Sequence, residues 1–209
     1  EDVGMVLFLH GEAPAPGFCL DREVEFLKTL EWLIECLPKL RIVLEHITTR
    51  AACEFLRHAP LNIAATVTVH HLLLTLDDVV GGMLKPHHFC KPLAKYPEDR
   101  KALLREVFEG NRVFLGTDTA PHMRLKKECA EGCAGIFSSP VALPLLAELF
   151  EQWSILPKLE DFASKQGALF YGLPLNEEKL VLVKKPWVVP LEYEGIVPFM
   201  AGETLKWQV

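Results

Sequence analysis

The sequence predicts an α/β fold built from strand–helix units, of the kind that closes into a barrel of parallel strands. Short apolar runs rich in β-branched residues alternate with segments of 3.6-residue apolar periodicity. Three of these runs also end beside a residue that can bind a metal ion, namely His10, His46 and Asp118. The carboxyl ends of parallel strands converge on one mouth of a barrel. We therefore expect these three residues to lie close together.

Composition narrows the class of protein. The 209 residues, 50% of them hydrophobic, can bury a substantial core as one domain or form a large part of a bigger one. The net charge of −6, with no basic stripe between aromatics, argues against nucleic acid as a partner. No apolar run approaches the roughly 20 residues of a membrane span, so no membrane association is expected. The six scattered cysteines favour a reduced, cytoplasmic setting over a disulfide framework.

The first strand–helix unit occupies the amino-terminal part of the chain. A strand at residues 4–9 is followed by a loop with proline and glycine, and then by a helix over about 21–37. Asp21 is a suitable N-cap for this helix. The apolar spacing predicts that its buried face consists of Val24, Leu27, Leu30 and Ile34.

The next two strands are equally distinct. A strand at 41–45 leads to Thr48-Thr49, a capping pair for a helix near 50–58. The third strand, at 62–69, ends at His70-His71. Adjacent residues on a strand point to opposite faces, so at most one of these histidines is expected to face the site. We interpret both as structural or supporting residues.

A long loop separates the third strand from the fourth. Long loops in compact domains are usually functional or disordered, and this one contains His87-His88, whose role the sequence leaves open. Pro97 begins a helix that Gly110 ends, as proline and glycine commonly do. A fourth strand at 112–116 follows directly.

The strand–helix alternation stops near residue 138. We therefore divide the chain into a barrel portion, 1–138, and a carboxyl-terminal extension of the same domain, 139–209. The extension is expected to contain two helices and short closing strands, at 139–153, 159–171, 179–183 and 196–209.

Five motifs, in order along the chain, resemble those of dihydroorotase, a member of the amidohydrolase superfamily, and in particular its compact single-function type. They are LHGE at 9–12, LEHITT at 44–49, GTDTAPH at 116–122, CAG at 133–135 and VPFMAGET at 197–204. The resemblance runs through the whole chain but corresponds to the carboxyl-terminal part of the family. It implies the carboxyl-terminal half of a TIM-type (β/α) barrel, with about four βα units, plus a helical and short-strand extension.

The resemblance also implies an activity. Dihydroorotase is a zinc-dependent cyclic amidohydrolase that interconverts N-carbamoyl-L-aspartate and L-dihydroorotate in de novo pyrimidine biosynthesis. By resemblance, His10 and His46 would bind one zinc ion, and Asp118 would bind the other and act as the general base toward the bridging hydroxide. The family's upstream ligands, including the carboxylated lysine that bridges the two ions, have no counterpart in this chain.

The same resemblance assigns the substrate contacts. His122 would bind the substrate carboxylate, while main-chain groups of Ala120, Lys91 and Ala134 would frame the pyrimidine ring. Because the upstream half is absent and the outer strands would have unpaired edges, we expect a complementing amino-terminal half or a homo-oligomer as partner. We expect the isolated chain to be unstable or to dimerise.

Each functional assignment has a structural alternative. A histidine after a buried strand is more often a hydrogen-bonded core residue than a ligand, and Asp118 alone could cap a turn. Cys129 and Cys133 could be half of a zinc site, but no second pair completes it, so packing is the better interpretation. Lys126-Lys127 is interpreted as solvated surface. For the whole chain, the alternative is a non-catalytic truncated half-barrel that serves as a scaffold or assembly partner.

Overall fold

The computed structural model describes residues 3–209. A four-stranded sheet forms its centre, and its strands pair in sequence order, all in parallel. The strands are β1 Val6–His10, β2 Arg41–Glu45, β3 Ile63–Val67 and β4 Val113–Leu115. Helices connect consecutive strands, which confirms the predicted α/β class and is consistent with half of a parallel barrel.

Eight α-helices accompany the sheet within the described residues. They are α1 Arg22–Cys36, α2 Arg50–His58, α3 Val69–Leu73, α4 Asp77–Val80, α5 Pro97–Glu109, α6 Arg124–Lys127, α7 Ala142–Gln152 and α8 Gln166–Tyr171. Short 3-10 turns lie at Pro86–His88 and Leu156–Lys158, and a π-helical turn at Asp161–Lys165 precedes α8. A small antiparallel pair, β5 Trp187–Val188 and β6 Thr204–Leu205, closes the extension.

Local sequence signals explain several boundaries. The hydroxyl of Thr49 accepts a hydrogen bond from the amide of Ala52 at 3.1 Å, which caps α2 at the predicted residue. The helix α5 begins at Pro97 and ends just before Gly110, as predicted. The two central strands, β2 and β3, are buried almost throughout and carry the core of the sheet.

The prediction that His70 and His71 end a strand is wrong. The strand β3 stops at Val67, and the hydroxyl of Thr68 accepts a hydrogen bond from the amide of His71 at 3.1 Å. That side-chain cap begins α3, so both histidines lie on a short helix and both are buried. The sequence interpretation missed the capping role of Thr68 in the middle of an apolar run.

The extension matches its prediction in part. The first predicted helix begins at Ala142 rather than at 139, and the second contains the π-helical turn. The predicted strand at 179–183 is reduced to a single bridge between Val183 and Gln208, whereas β5 was not predicted. Short strands of this kind depend on tertiary packing more than on the local pattern.

The outer strands of the sheet are paired on one side only within residues 3–209. Along β1, the side chain of Phe8 is 49% exposed and its ring lies 5.6 Å from that of Tyr171.

Within residues 3–209, every helix is too short or too polar to span a lipid bilayer.

Candidate functional site

Two of the predicted ligands meet at the carboxyl ends of neighbouring strands. His10 is the last residue of β1, and His46 directly follows β2. The Nδ1 atom of His10 lies 3.1 Å from Nε2 of His46, and the two rings are inclined at 71°. Asp118 follows β4 and is close enough to His10 and Glu45 to interact electrostatically with both. The convergence expected from the sequence is therefore present for the two histidines, and Asp118 lies within electrostatic range of His10.

The backbone is unusual at two of these positions. His46 and Asp118 have φ angles of 41° and 39°, in the left-handed region that side chains other than glycine seldom adopt. Such conformations cost on the order of 1 kcal/mol or more each and cluster at functional sites. The amide of His46 donates a 2.8 Å hydrogen bond to the hydroxyl of Thr66 on β3, which helps to hold the turn. Nothing in the sequence pattern indicated these conformations.

Glu12 orients His10. One carboxylate oxygen of Glu12 lies 3.1 Å from Nε2 of His10, on the side of the ring opposite to His46. Metal-binding histidines commonly place their second ring nitrogen against a carboxylate in this way. Glu12 was part of the LHGE motif but received no role from the sequence, although its position two residues after a strand-end histidine could have suggested one.

The electrostatics of the site favour a neutral imidazole at His46. Burial, and then the neighbouring His10, lower the pKa of His46 to about 4. Within residues 3–209, its buried Nδ1 atom has no hydrogen-bond partner. Desolvation raises the pKa of Asp118, and desolvation together with the charge of Asp118 raises the pKa of Glu45.

A buried carboxylate holds the segment that follows His46. Glu23 accepts hydrogen bonds from the amide and hydroxyl groups of both Thr48 and Thr49, at 2.6 to 3.1 Å. Desolvation raises the pKa of Glu23 above its ordinary value. The predicted buried face of α1 is therefore wrong at Val24, which is exposed. Its neighbour Glu23 is buried instead, where its carboxylate accepts the hydrogen bonds of Thr48 and Thr49.

The segments with the predicted substrate contacts pack against one another. The amide of Ala120 donates to the carbonyl of Ile136 at 3.0 Å, and the amide of Gly135 donates to the carbonyl of Phe89 at 2.9 Å. Gly135 has a φ of 142° and approaches so closely that a Cβ there would lie 2.8 Å from the carbonyl oxygen of Ala120 and 3.0 Å from Cδ2 of His122. Lys91, two residues after Phe89, and Ala134, next to Gly135, belong to these same segments.

The interpretation of Lys127 as solvated surface is wrong. Its side chain is only 4% exposed, and its ammonium group donates hydrogen bonds to the carbonyls of Phe89, Cys133 and Gly135. The adjacent Lys126 is exposed, as predicted. A pair of lysines on one turn of helix gives no sign of which one points inward.

A second group of possible ligands lies deeper. The ligand atoms of His70, His71 and Cys90 are all within 4.8 Å of one another. His71 is already engaged, since Nδ1 lies 2.9 Å from the hydroxyl of Thr68 and Nε2 lies 2.9 Å from the carbonyl of Pro92. The thiol of Cys90 donates to the same carbonyl, and burial raises its pKa to about 12. In the described part of the chain, only the ring of His70 has no hydrogen-bond partner in this group.

Cys129 and Cys133 do not form a disulfide, and all six cysteines are free.

His87 makes a 2.8 Å contact with Glu128, and His88 one of 2.9 Å with the carbonyl of Asp78. Both histidines of the long loop therefore have protein partners.

The parallel strand–helix units and the histidine and carboxylate groups at their strand ends define part of a barrel of the amidohydrolase type. No family model matches the sequence. A dihydroorotase from Laribacter hongkongensis is 50% identical over the whole chain, and the chain spans 62% of that relative. The chain is homologous to dihydroorotases along its entire length, so the resemblance found in the motifs is confirmed.

Solved structures agree with this relationship. The dihydroorotase of Campylobacter jejuni superposes with a TM-score of 0.90 at 46% identity, covering 99% of this chain and 61% of its own. The dihydroorotase of Saccharomyces cerevisiae, solved with 5-fluoroorotic acid, gives a TM-score of 0.90 at 36% identity, covering 99% of this chain and 63% of its own. The chain thus spans slightly under two thirds of these relatives.

Proposed function

We propose that this chain is the part of a dihydroorotase that carries His10, His46 and Asp118. The complete enzyme, meaning this chain together with the part of its relatives' length that it does not span, would open L-dihydroorotate reversibly to N-carbamoyl-L-aspartate. The observation that carries the proposal is the 3.1 Å approach of His10 Nδ1 to His46 Nε2 at two strand ends. The similarity to dihydroorotases along the whole chain supplies the substrate class.

The donor set fits a zinc ion. Two ligands at the usual Zn–N distance of 2.0 to 2.1 Å lie about 3.3 Å apart in tetrahedral geometry, close to the separation of the two ring nitrogens. His46 is held neutral by its lowered pKa, as a ligand must be, and Glu12 orients His10. Asp118 would provide a carboxylate ligand to a second ion, whose other ligands would come from outside this chain. Zinc lowers the pKa of a coordinated water to about 7, which supplies a nucleophile at neutral pH.

The chain's own residues then have separate tasks. Asp118 would take a proton from the attacking water and return it to the ring nitrogen that leaves the carbonyl carbon. Desolvation raises the pKa of Asp118, which makes its carboxylate a stronger base for the first of these transfers. His122 would bind the substrate carboxylate, and main-chain groups of Ala120, Lys91 and Ala134 would frame the ring.

Turnover of N-carbamoyl-L-aspartate by the complete enzyme tests the proposal. We expect Asp118→Asn to lower kcat by at least about 100-fold, the usual effect of losing a positioned acid–base group. Asp21→Asn is the matched control, because Asp21 is exposed and makes no side-chain capping bond to α1. No turnover by the wild-type complete enzyme would instead favour a non-catalytic scaffold.

A further inference from the structure

We propose that Lys127 is the positioning residue that fixes the substrate-binding segments of this site relative to one another. The inference rests on the proposed function, because the four residues that it concerns are those expected to hold the substrate: Lys91, Ala120, His122 and Ala134. Lys127 itself touches none of the reacting atoms. It acts through the backbone of the segments that contain these residues.

The contacts of Lys127 join two distant parts of the chain. Its Nζ atom lies 3.2 Å from the carbonyl oxygen of Phe89, 2.9 Å from that of Cys133 and 2.5 Å from that of Gly135. These three bonds use all three donors of an ammonium group. The segment before Lys91 and the segment around Ala134 are therefore tied to one buried side chain.

Peptide geometry turns these bonds into a fixed direction for Ala134. In a trans peptide, the carbonyl and the amide N–H point in opposite directions. Because the carbonyl of Cys133 points at Lys127, the amide N–H of Ala134 points away from it. The same rule applies to the next peptide, which joins Ala134 to Gly135. Because the amide of Gly135 donates to the carbonyl of Phe89, the carbonyl of Ala134 points away from Phe89. Both main-chain groups of Ala134 are thus oriented by the network around Lys127.

Gly135 extends the effect to the remaining two residues. Its carbonyl accepts from Lys127, while its Cα packs so tightly that an added Cβ would lie 2.8 Å from the carbonyl oxygen of Ala120 and 3.0 Å from Cδ2 of His122. The amide of Ala120 also donates to the carbonyl of Ile136, the next residue. A shift of Gly135 would therefore move Ala120 and His122 as well.

The three acceptors are all main-chain carbonyls, and none of the described salt bridges involves Lys127. Desolvation lowers the pKa of its ammonium group. An apolar group of the same shape would fill the space but leave these three buried carbonyls without their donor. Only a group with several N–H donors, such as the ammonium group of Lys127, can hold three carbonyls at one point.

The test compares Lys127→Met with Lys126→Met in the complete enzyme. Methionine keeps most of the length of lysine and removes the donors, and Lys126 is the exposed neighbour on the same helix. Contacts that hold the substrate equally strongly in the ground state and in the transition state affect KM more than kcat. We expect Lys127→Met to raise KM about tenfold or more, with kcat within about threefold and zinc content unchanged. Lys126→Met should match the wild type in all three.

Amide hydrogen exchange gives a readout that does not depend on activity. In Lys127→Met, the amides of residues 133–136 should exchange faster, while those of β1 to β4 stay as in the wild type. An unchanged KM, or equal losses of kcat and zinc together, would overturn the inference. If the wild-type complete enzyme has no activity, the proposed function fails, and the exchange result alone decides whether Lys127 holds these segments.

Should Lys127→Met fail to fold, Gly135→Ala replaces it. The variant keeps Lys127 but pushes on Ala120 and His122, so the positioning account predicts the same increase in KM. An unchanged KM in a folded Gly135→Ala enzyme would count against the account.

Discussion

The Nδ1 atom of His10 lies 3.1 Å from Nε2 of His46, although the two histidines are 36 positions apart in the chain. The register of β1 against β2 produces this contact, because His10 pairs with Glu45, the residue before His46. His46 then turns back through a left-handed backbone conformation and presents its ring toward His10. A parallel strand pair thus provides two imidazoles at the spacing of one metal ion.

Removing His46 should remove the metal. We expect His46→Ala to weaken zinc binding by the complete enzyme by at least about 100-fold and to abolish turnover, because a direct ligand matters more than its outer partners. Competition with a chelator of known zinc affinity measures the loss. His58→Ala, an exposed histidine at the end of α2, should bind zinc like the wild type. Substantial turnover by His46→Ala would exclude it as a ligand.

Glu12 should tune the affinity for the metal without providing a ligand. Glu12→Gln weakens the acceptor for Nε2 of His10, and we expect a 10- to 100-fold loss of zinc affinity, the usual effect of such partners. The same chelator competition gives the value, and Glu31→Gln on the exposed face of α1 is the control. An affinity equal to that of the control would show that the Glu12 contact is incidental.

Burial of His71 should make the fold sensitive to acid. Burial lowers the pKa of His71 to about 3 in the folded state, well below the 6.5 of an unfolded histidine. The unfolded chain therefore binds the proton more readily, so stability is complete above about pH 6.5 and falls as the pH drops toward 3. The full effect is of the order of several kcal/mol, at 1.36 kcal/mol per pKa unit.

Urea unfolding of the complete enzyme at pH 7.0 and 4.5 measures this loss. His71→Gln should lose less stability between the two pH values than the wild type, since it removes the group that takes up the proton. His58→Gln, which removes an exposed histidine, should lose as much as the wild type. Equal losses in all three proteins would contradict the assignment.

The edge of β1 should promote self-association of the isolated chain. Phe8 is half exposed on a strand that is paired on one side only within residues 3–209. Exposed apolar strand edges are sites of association. We expect sedimentation to detect dimers or larger species, and Phe8→Glu to shift the chain toward monomer. Phe18→Glu, in the loop before α1, should have no such effect, and a monodisperse wild-type monomer would contradict the prediction.

The sequence predicted the elements whose signals are local. The boundaries of α2 and α5 agree with the prediction because Thr49, Pro97 and Gly110 mark helix ends in an unambiguous way. The strand β2 also has its predicted boundaries, at the apolar run that follows Arg41. The convergence of His10 and His46 was predictable for a different reason: parallel strands bring their carboxyl ends to one edge.

Features that depend on tertiary contacts were not predictable. Glu23 and Lys127 are charged residues on helices, where a solvated position is the ordinary expectation. Only the folded chain brings Glu23 to the Thr48-Thr49 pair, and Lys127 to three carbonyls from two segments. The left-handed backbone at His46 and Asp118 likewise has no local signature.

Anomalous diffraction at the zinc absorption edge, from crystals of the complete enzyme, tests the central claim most directly. The account predicts a peak about 2.1 Å from both His10 Nδ1 and His46 Nε2, with a second peak at the carboxylate of Asp118. Zinc found instead among His70, His71 and Cys90, with none beside His10, would contradict it.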